Sequence, residues 1–165
     1  MNAEQYNRWS APLRENPALG RVVIGAGRAL TYACYVAFPL LVAFELLIGA
    51  PLWLRTVLTC GISFCLVSVV RSRLDASRPY EALDIEPLIV KDTHGRSHPS
   101  RHTFSIFAIA MAFLAWNTAA GIVLLVAGCY MAVVRVLGGV HYPRDVAAGA
   151  VLGIAAGLIG FWLVP

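Results

Sequence analysis

The sequence predicts an all-α protein, an integral membrane helix bundle with about five transmembrane spans, and three observations carry that prediction. Hydrophobic residues make up 59% of the 165, and the mean hydropathy of +0.71 is far outside soluble norms. Charged residues amount to only 13% and cluster in short stretches. Between those stretches lie apolar runs of roughly 20 residues, the length that crosses the hydrocarbon core of a bilayer.

Residues 1–28 carry Arg8, Arg14, Arg21 and Arg28 with Trp9, Pro12 and Pro17, and read as an interfacial segment along lipid headgroups with short helix at most. Residues 29–165 read as the membrane domain, with a charged loop at 71–101. The apolar run after residue 28 is too long for a signal-peptide core and no small-residue cleavage site ends it, so the first span stays in the protein. That span, 29–49, contains Pro39 and Glu45. For Glu45, snorkelling or a hydrogen bond to a neighbouring helix is expected over a functional role. Pro51 turns the chain into a second span, 52–70. A third run, 100–116, is short, about 25 Å at 1.5 Å per residue, so its start is expected to be recessed or hydrated. Asn117 marks a tight turn, and spans 118–139 and 145–163 follow. Small-residue runs in the last span, at 147–150 and 153–157, read as close helix packing. Cys34, Cys60, Cys65 and Cys129 lie in apolar runs and read as small hydrophobes.

Five spans put the termini on opposite sides. Trp53, Trp116 and Trp162 then fall at one rim, where indoles prefer to lie, and every Lys and Arg except Arg55 falls at the other. By the positive-inside rule the N-terminus and the charged loops face the cytoplasm, as expected of a protein of the cell (inner) membrane. The net charge of +4 sits in those loops and suits anionic headgroups; with no soluble basic domain, nucleic acid is not expected as a partner.

Three charged clusters converge on that rim. They are Arg71-Ser-Arg-Leu-Asp-Ala-Ser-Arg78-Pro79, His98-Pro99-Ser100-Arg101-His102, and Arg135-Val-Leu-Gly-Gly-Val-His141-Tyr-Pro-Arg-Asp145. Arginine offers a planar fork of donors that matches phosphate oxygens, so Arg71, Arg78 and Arg135 suit an oxyanion clamp. Pro99 in a first helical turn would leave the N–H groups of Ser100, Arg101 and His102 free for an anion, with the Ser100 hydroxyl as a further donor. His102 suits a general acid. Pro143 is placed to open a helix, which sets Asp145 about one turn from His141, close enough to fix the imidazole tautomer and free the other nitrogen for attack. His94 and His98 read as structural, since Gly95 and Pro99 break the helix that a zinc site from His94, His98 and His102 would need. Asp75, Glu81, Asp84, Glu86 and Asp92 read as folding or solubilising the loop. The apolar stretch 87–90 inside it, ending at Lys91, suggests a lid dipping into the headgroups.

In these residues the chain resembles the type 2 phosphatidic acid phosphatase superfamily. The pattern of that family, K-x6-R-P, then P-S-G-H, then S-R-x5-H-x3-D, is met by Arg71-x6-Arg78-Pro79, Pro99-Ser100-Arg101-His102 and Val134-Arg135-x5-His141-x3-Asp145, over roughly residues 52–165. The resemblance implies a lipid phosphatase that needs neither metal nor other cofactor. In it His141 forms a phosphohistidine, Asp145 orients it, and His102 protonates the leaving alcohol. Arg71, Arg78, Ser100, Arg135 and the N–H of Arg101 bind the phosphoryl group. Arg71 stands for the family lysine, Arg101 for glycine and Val134 for serine; a second guanidinium at Arg101 suits a diphosphate or another headgroup anion. The expected substrate keeps its tail in the bilayer. A prenyl-linked carrier phosphate is favoured, with phosphatidylglycerol phosphate and phosphatidic acid as alternatives. A catalytically silent lipid-phosphate-binding or scaffolding protein is the competing expectation, and the presence of both His141 and Asp145 weighs against it.

Overall fold

The computed structural model describes residues 1–164, and the regular structure among them is all helical. Helix α1 (Ala3–Glu15) opens with a capping box: Asn2 Oδ1 accepts the Gln5 N–H at 2.8 Å and Gln5 Oε1 accepts the Asn2 N–H at 3.0 Å. Asn16 then caps α2 (Pro17–Leu47), with Pro17 in its first turn. The first membrane helix therefore starts well before residue 29 and runs for 31 residues. Its early start has a local cause. Asn16-Pro17 is a helix-opening pair, and Arg21 and Arg28, two turns apart, share one exposed side, so the helix crosses the basic stretch without burying a charge.

Next come α3 (Leu52–Leu74), the single turn α4 (Pro79–Ala82), α5 (Arg101–Trp116), α6 (Thr118–Leu137) and α7 (Pro143–Leu158), which continues as a π-helical turn, Ile159–Leu163. Four of the helical segments are long and apolar enough to cross a bilayer, and α5, at 16 residues, is the short fifth. Its place in the bundle explains its length. Phe104, Ile106, Phe107, Ala108, Ile109, Ala110, Met111 and Ala112 are all buried, so α5 is apolar all round and sheathed by α2, α3, α6 and α7. The middle of α5 is shielded from lipid by its neighbours, so bilayer thickness does not set its span. The expected small-residue packing is present: a Cβ on Gly149 would come within 2.5 Å of the Ser100 carbonyl oxygen, and one on Gly153 within 2.7 Å of that of Phe104. Leu40, Leu47, Leu66, Val123 and Val151 are exposed on the outside of the bundle, the arrangement a lipid solvent demands.

Contacts at the end of the bundle opposite the charged clusters involve Trp116 and Trp162. Phe44 meets Trp116 edge to face at 5.1 Å, and Arg55 at the start of α3 donates to the Phe161 carbonyl at 3.5 Å, beside Trp162. Glu45 is fully buried there and accepts a hydrogen bond from Thr56 of α3 at 3.2 Å, the interhelical bond expected for it.

Candidate active site

At the opposite rim the three charged clusters meet, stitched together by backbone. Arg71, in the last turn of α3, donates to the Pro99 carbonyl at 2.8 Å, and the Ser100 N–H donates to the Asp145 carbonyl at 2.9 Å. Arg78 donates through Nε to the Gly95 carbonyl at 3.0 Å and through Nη1 to Val140 at 3.4 Å. Glu81 anchors this loop, accepting the N–H groups of Arg78 at 2.6 Å and Gly95 at 2.8 Å and contacting His94 Nδ1 at 3.0 Å. Arg135, in the last turn of α6, reaches Thr31 Oγ1 at 3.4 Å, and its buried Nε has no partner among the described residues. Arg71, Arg78 and Arg135 are all buried. Each guanidinium has five N–H donors, and these contacts occupy one or two of them, so most remain for an anion.

One expectation is corrected here. Pro99 lies outside α5, Ser100 is the residue before its first turn, and the Ser100 N–H is taken by Asp145. The first helical N–H bonded to an α5-side carbonyl is that of Phe104, which leaves the N–H groups of Arg101, His102 and Thr103 to form the anion-facing end. The Ser100 hydroxyl is buried and accepts from Thr103 Oγ1 at 3.1 Å. The Arg101 guanidinium turns outward over the Phe64 ring at 5.6 Å, so this side chain sits at the edge of the cluster. His102, half-buried, is within electrostatic reach of Arg135, Lys91, His141 and Arg101.

Between α6 and α7 the chain turns through Gly139, whose φ of +75° favours glycine and where a Cβ would lie 2.9 Å from the Tyr6 hydroxyl. This turn delivers His141, 1% exposed, beside Asp145, 0% exposed. Pro143 opens α7 as the sequence suggests. The His141 to Asp145 distance is longer than a direct hydrogen bond: Nδ1 and Oδ2 are 3.7 Å apart. Ser97 closes that gap. Its hydroxyl donates to Asp145 Oδ2 at 2.6 Å and lies 3.4 Å from His141 Nδ1. The carboxylate also accepts the Tyr142 N–H at 2.9 Å, and Oδ1 is 3.0 Å from His98 Nδ1. Burial pushes the His141 imidazole down to about 4, with Asp145 opposing the shift and Arg78 and Arg71 reinforcing it, so the ring is neutral at pH 7 with one nitrogen free for attack.

The family model described as the PAP2 superfamily matches residues 52–165. The chain belongs to the PAP2 superfamily. Among solved structures, LpxE of Aquifex aeolicus superposes with a TM-score of 0.75 at 26% identity, over 96% of this chain and 93% of that one. A PAP2-type phosphatidylglycerolphosphate phosphatase from Bacillus subtilis shares the fold, with a TM-score of 0.62 at 19% identity over 94% and 90% of the two chains. Bacitracin transport permease protein BcrC of Bacillus licheniformis is 34% identical over 88 residues, which is 53% of this chain and 43% of that protein. The chain thus aligns with less than half the length of this curated relative.

The PAP2 match starts at α3 and takes in all three clusters, while α1 and α2 precede it. His98, expected to be structural, is held against Asp145 Oδ1, whereas Ser97 escapes sequence reasoning and Lys91 reads there only as a topology charge. Lys91 in fact lines a cavity of about 300 Å³ with Arg28, Thr31, Tyr35, His102 and Arg135. Of these two, only Lys91 has a usable signal, as the cation ending an apolar stretch in a polar loop.

Proposed function

We propose that this integral membrane PAP2 protein is a metal-independent lipid phosphate phosphatase that works through a phosphohistidine at His141. The observation that carries this is a neutral buried histidine that a carboxylate orients, with the buried Arg78 and Arg71 in electrostatic reach of it and the buried Arg135 in reach of Arg78. In the first step the free imidazole nitrogen attacks phosphorus in line, the bond from phosphorus to the lipid oxygen breaks, and His102 gives its proton to that oxygen. In the second step His102 takes a proton from water, the hydroxide displaces His141, and phosphate leaves. The arginines, the Ser100 hydroxyl and the free N–H groups at the start of α5 stabilise charge on the equatorial oxygens. This electrostatic term is the largest contribution, because phosphoryl transfer asks the protein mainly for positioning and charge.

A lipid substrate fits the surroundings. An apolar cavity of about 300 Å³, lined by Tyr35, Phe38, Val57, Phe64, Phe104 and Ile109 among others, runs between α2, α3 and α5. Tyr35 belongs also to the polar cavity that holds His102 and Arg135, so a tail in the first can present its headgroup to the second. The larger cavity of about 680 Å³ between α3 and α7 contains none of the charged site residues; its charged lining residue, Arg55, belongs to the far rim. A prenyl-linked carrier phosphate or diphosphate is the favoured substrate, ahead of phosphatidylglycerol phosphate and phosphatidic acid. The cation-rich rim supports a site at the cytoplasmic face of the cell membrane.

The test is phosphate release by detergent-purified protein, with EDTA present, from a panel of prenyl and glycerol lipid phosphates. Wild type should release phosphate without metal, and His141→Ala should lose turnover by about 10⁴-fold or more while still binding substrate. Turnover by His141→Ala at the wild-type rate would falsify the nucleophile.

A further inference from the structure

Resting on the phosphatase reading of His141, we propose that Lys91 forms, with Arg28 at the mouth of the same cavity, a second anion subsite, one that selects substrates carrying another phosphoryl group beyond the one under attack.

Segment 86–91 is strapped across the site by α1 on one side and α6 on the other. Tyr6, fully buried, donates to the Glu86 carbonyl at 3.3 Å and accepts the Leu88 N–H at 3.3 Å, and Arg14 donates to the same Glu86 carbonyl. The Ile89 N–H donates to the Gly138 carbonyl at 3.0 Å, just past the end of α6. Lys91 follows directly. Fixed at Ile89, the chain lays the Lys91 side chain into the cavity of about 300 Å³ whose lining includes His102, Arg135, Thr31, Tyr35 and Arg28.

The charges around Lys91 say what this cavity lacks. Arg135 of α6, His102 of α5, and Arg28 and Tyr35 of α2 share the cavity wall with it, and Arg78 at the start of α4, Arg71 of α3 and, from the edge of the cluster, Arg101 of α5 lie within electrostatic reach. No carboxylate pairs with Lys91 among the described residues. Burial first, and then these four arginines, hold its ammonium down at about 8. A lysine tied into a cluster of cations serves an anion larger than the single phosphate that Arg71, Arg78 and Arg135 already satisfy. Arg101, stacked outward on Phe64, is placed at the edge of the cluster and leaves this inner position to Lys91.

The experiment compares wild type, Lys91→Ala and Lys91→Arg on a prenyl diphosphate and the monophosphate of the same tail. Loss of one charge-assisted contact should lower kcat/KM of Lys91→Ala about thirtyfold on the diphosphate and less than about threefold on the monophosphate. Lys91→Arg should recover most of the loss. In wild type, kcat/KM for the diphosphate should fall as pH rises through about 8, where the ammonium deprotonates, and Lys91→Arg should not show that fall. Equal losses on the two substrates, or no loss on either, would overturn the subsite. A second arm does not depend on turnover. Inorganic pyrophosphate should raise the thermal midpoint of the detergent-solubilised wild type more than phosphate does, and Lys91→Ala should erase that difference. Wild type inactive on every lipid but stabilised in this selective way would sink the phosphatase reading and keep the subsite; equal stabilisation by the two anions would sink the subsite.

Discussion

Two carboxylates in this bundle are fully buried, Asp145 at the charged rim and Glu45 at the other, and their surroundings differ in kind. Asp145 takes hydrogen bonds from the Ser97 hydroxyl and the Tyr142 N–H, has His98 at 3.0 Å, and lies near Arg144 Nε at 3.8 Å. Its donors come from the loop before α5 and from the turn that opens α7. Glu45 has one donor, Thr56, and its second oxygen has no partner among the described residues. A buried carboxylate held by several converging donors is fixed in place and stays ionised, whereas one with a single neutral donor is the usual interhelical polar contact. Burial alone, then, does not mark a functional acid in a membrane bundle. The number and origin of its donors do.

The widest test of this contrast is Asp145→Asn. An amide keeps the shape but cannot oppose the burial of a charged imidazole or set the His141 tautomer, so kcat should fall by about 10³-fold or more. The pH profile separates this from a structural defect. In wild type the acid limb of kcat/KM should lie near 4, because His141 must be neutral and its folded value is depressed to about 4. Removing the carboxylate removes the one influence that raises it, so the limb should move lower still in Asp145→Asn. A limb that stays in place while the rate drops would mean that Asp145 only supports the fold. The same depression makes stability depend on pH: between about 4 and the ordinary histidine value of 6.5 the unfolded chain binds more protons, so stability should decrease as pH falls through that window.

A smaller effect is expected at Ser97. Its hydroxyl spans the 3.7 Å separation between His141 and Asp145, so Ser97→Ala should slow turnover about tenfold, the scale of one lost hydrogen bond to a charged group. Ser97→Thr, which keeps the hydroxyl, should restore most of it. If Ser97→Ala turned over like wild type, His141 and Asp145 would have to close their gap unaided when substrate binds.

Ser97 also shows where sequence reading stops. The five helices, the tryptophan rim and the three clusters were legible because each depends on local rules: apolar run length, proline at a helix start, fixed spacing within a turn. His141 and Asp145 are four residues apart, and their proximity follows from the helix that Pro143 opens. Ser97, His98 and Lys91 reach the site only because the segment between α4 and α5 is folded back by Glu81, Arg78, Tyr6 and Gly138, contacts that join distant parts of the chain and leave no periodicity. The early start of α2 shows the opposite case: arginine content points to a headgroup segment, yet the local Asn16-Pro17 signal opens the helix, because an exposed helical face carries arginines without difficulty. The buried length of α5 needs the bundle itself, since only its neighbours show that its middle is enclosed.

The smallest effect is expected at Glu45, and it is the one that most sharply tests the contrast. Glu45→Gln preserves the oxygen that accepts from Thr56 and replaces the unpartnered oxygen with an amide, close in shape to the protonated acid. The amide leaves buried N–H groups with no acceptor facing them, so the change should cost about 1–2 kcal/mol of stability, while kcat and KM should stay within about twofold of wild type. The site is at the opposite rim, with the length of α5 between them. A midpoint within a few degrees together with unchanged kinetics would fit a carboxyl that joins α2 to α3 and does no more. A tenfold loss of kcat at unchanged stability would instead connect this carboxyl to the reaction through the bundle, and donor count would no longer separate the two acids.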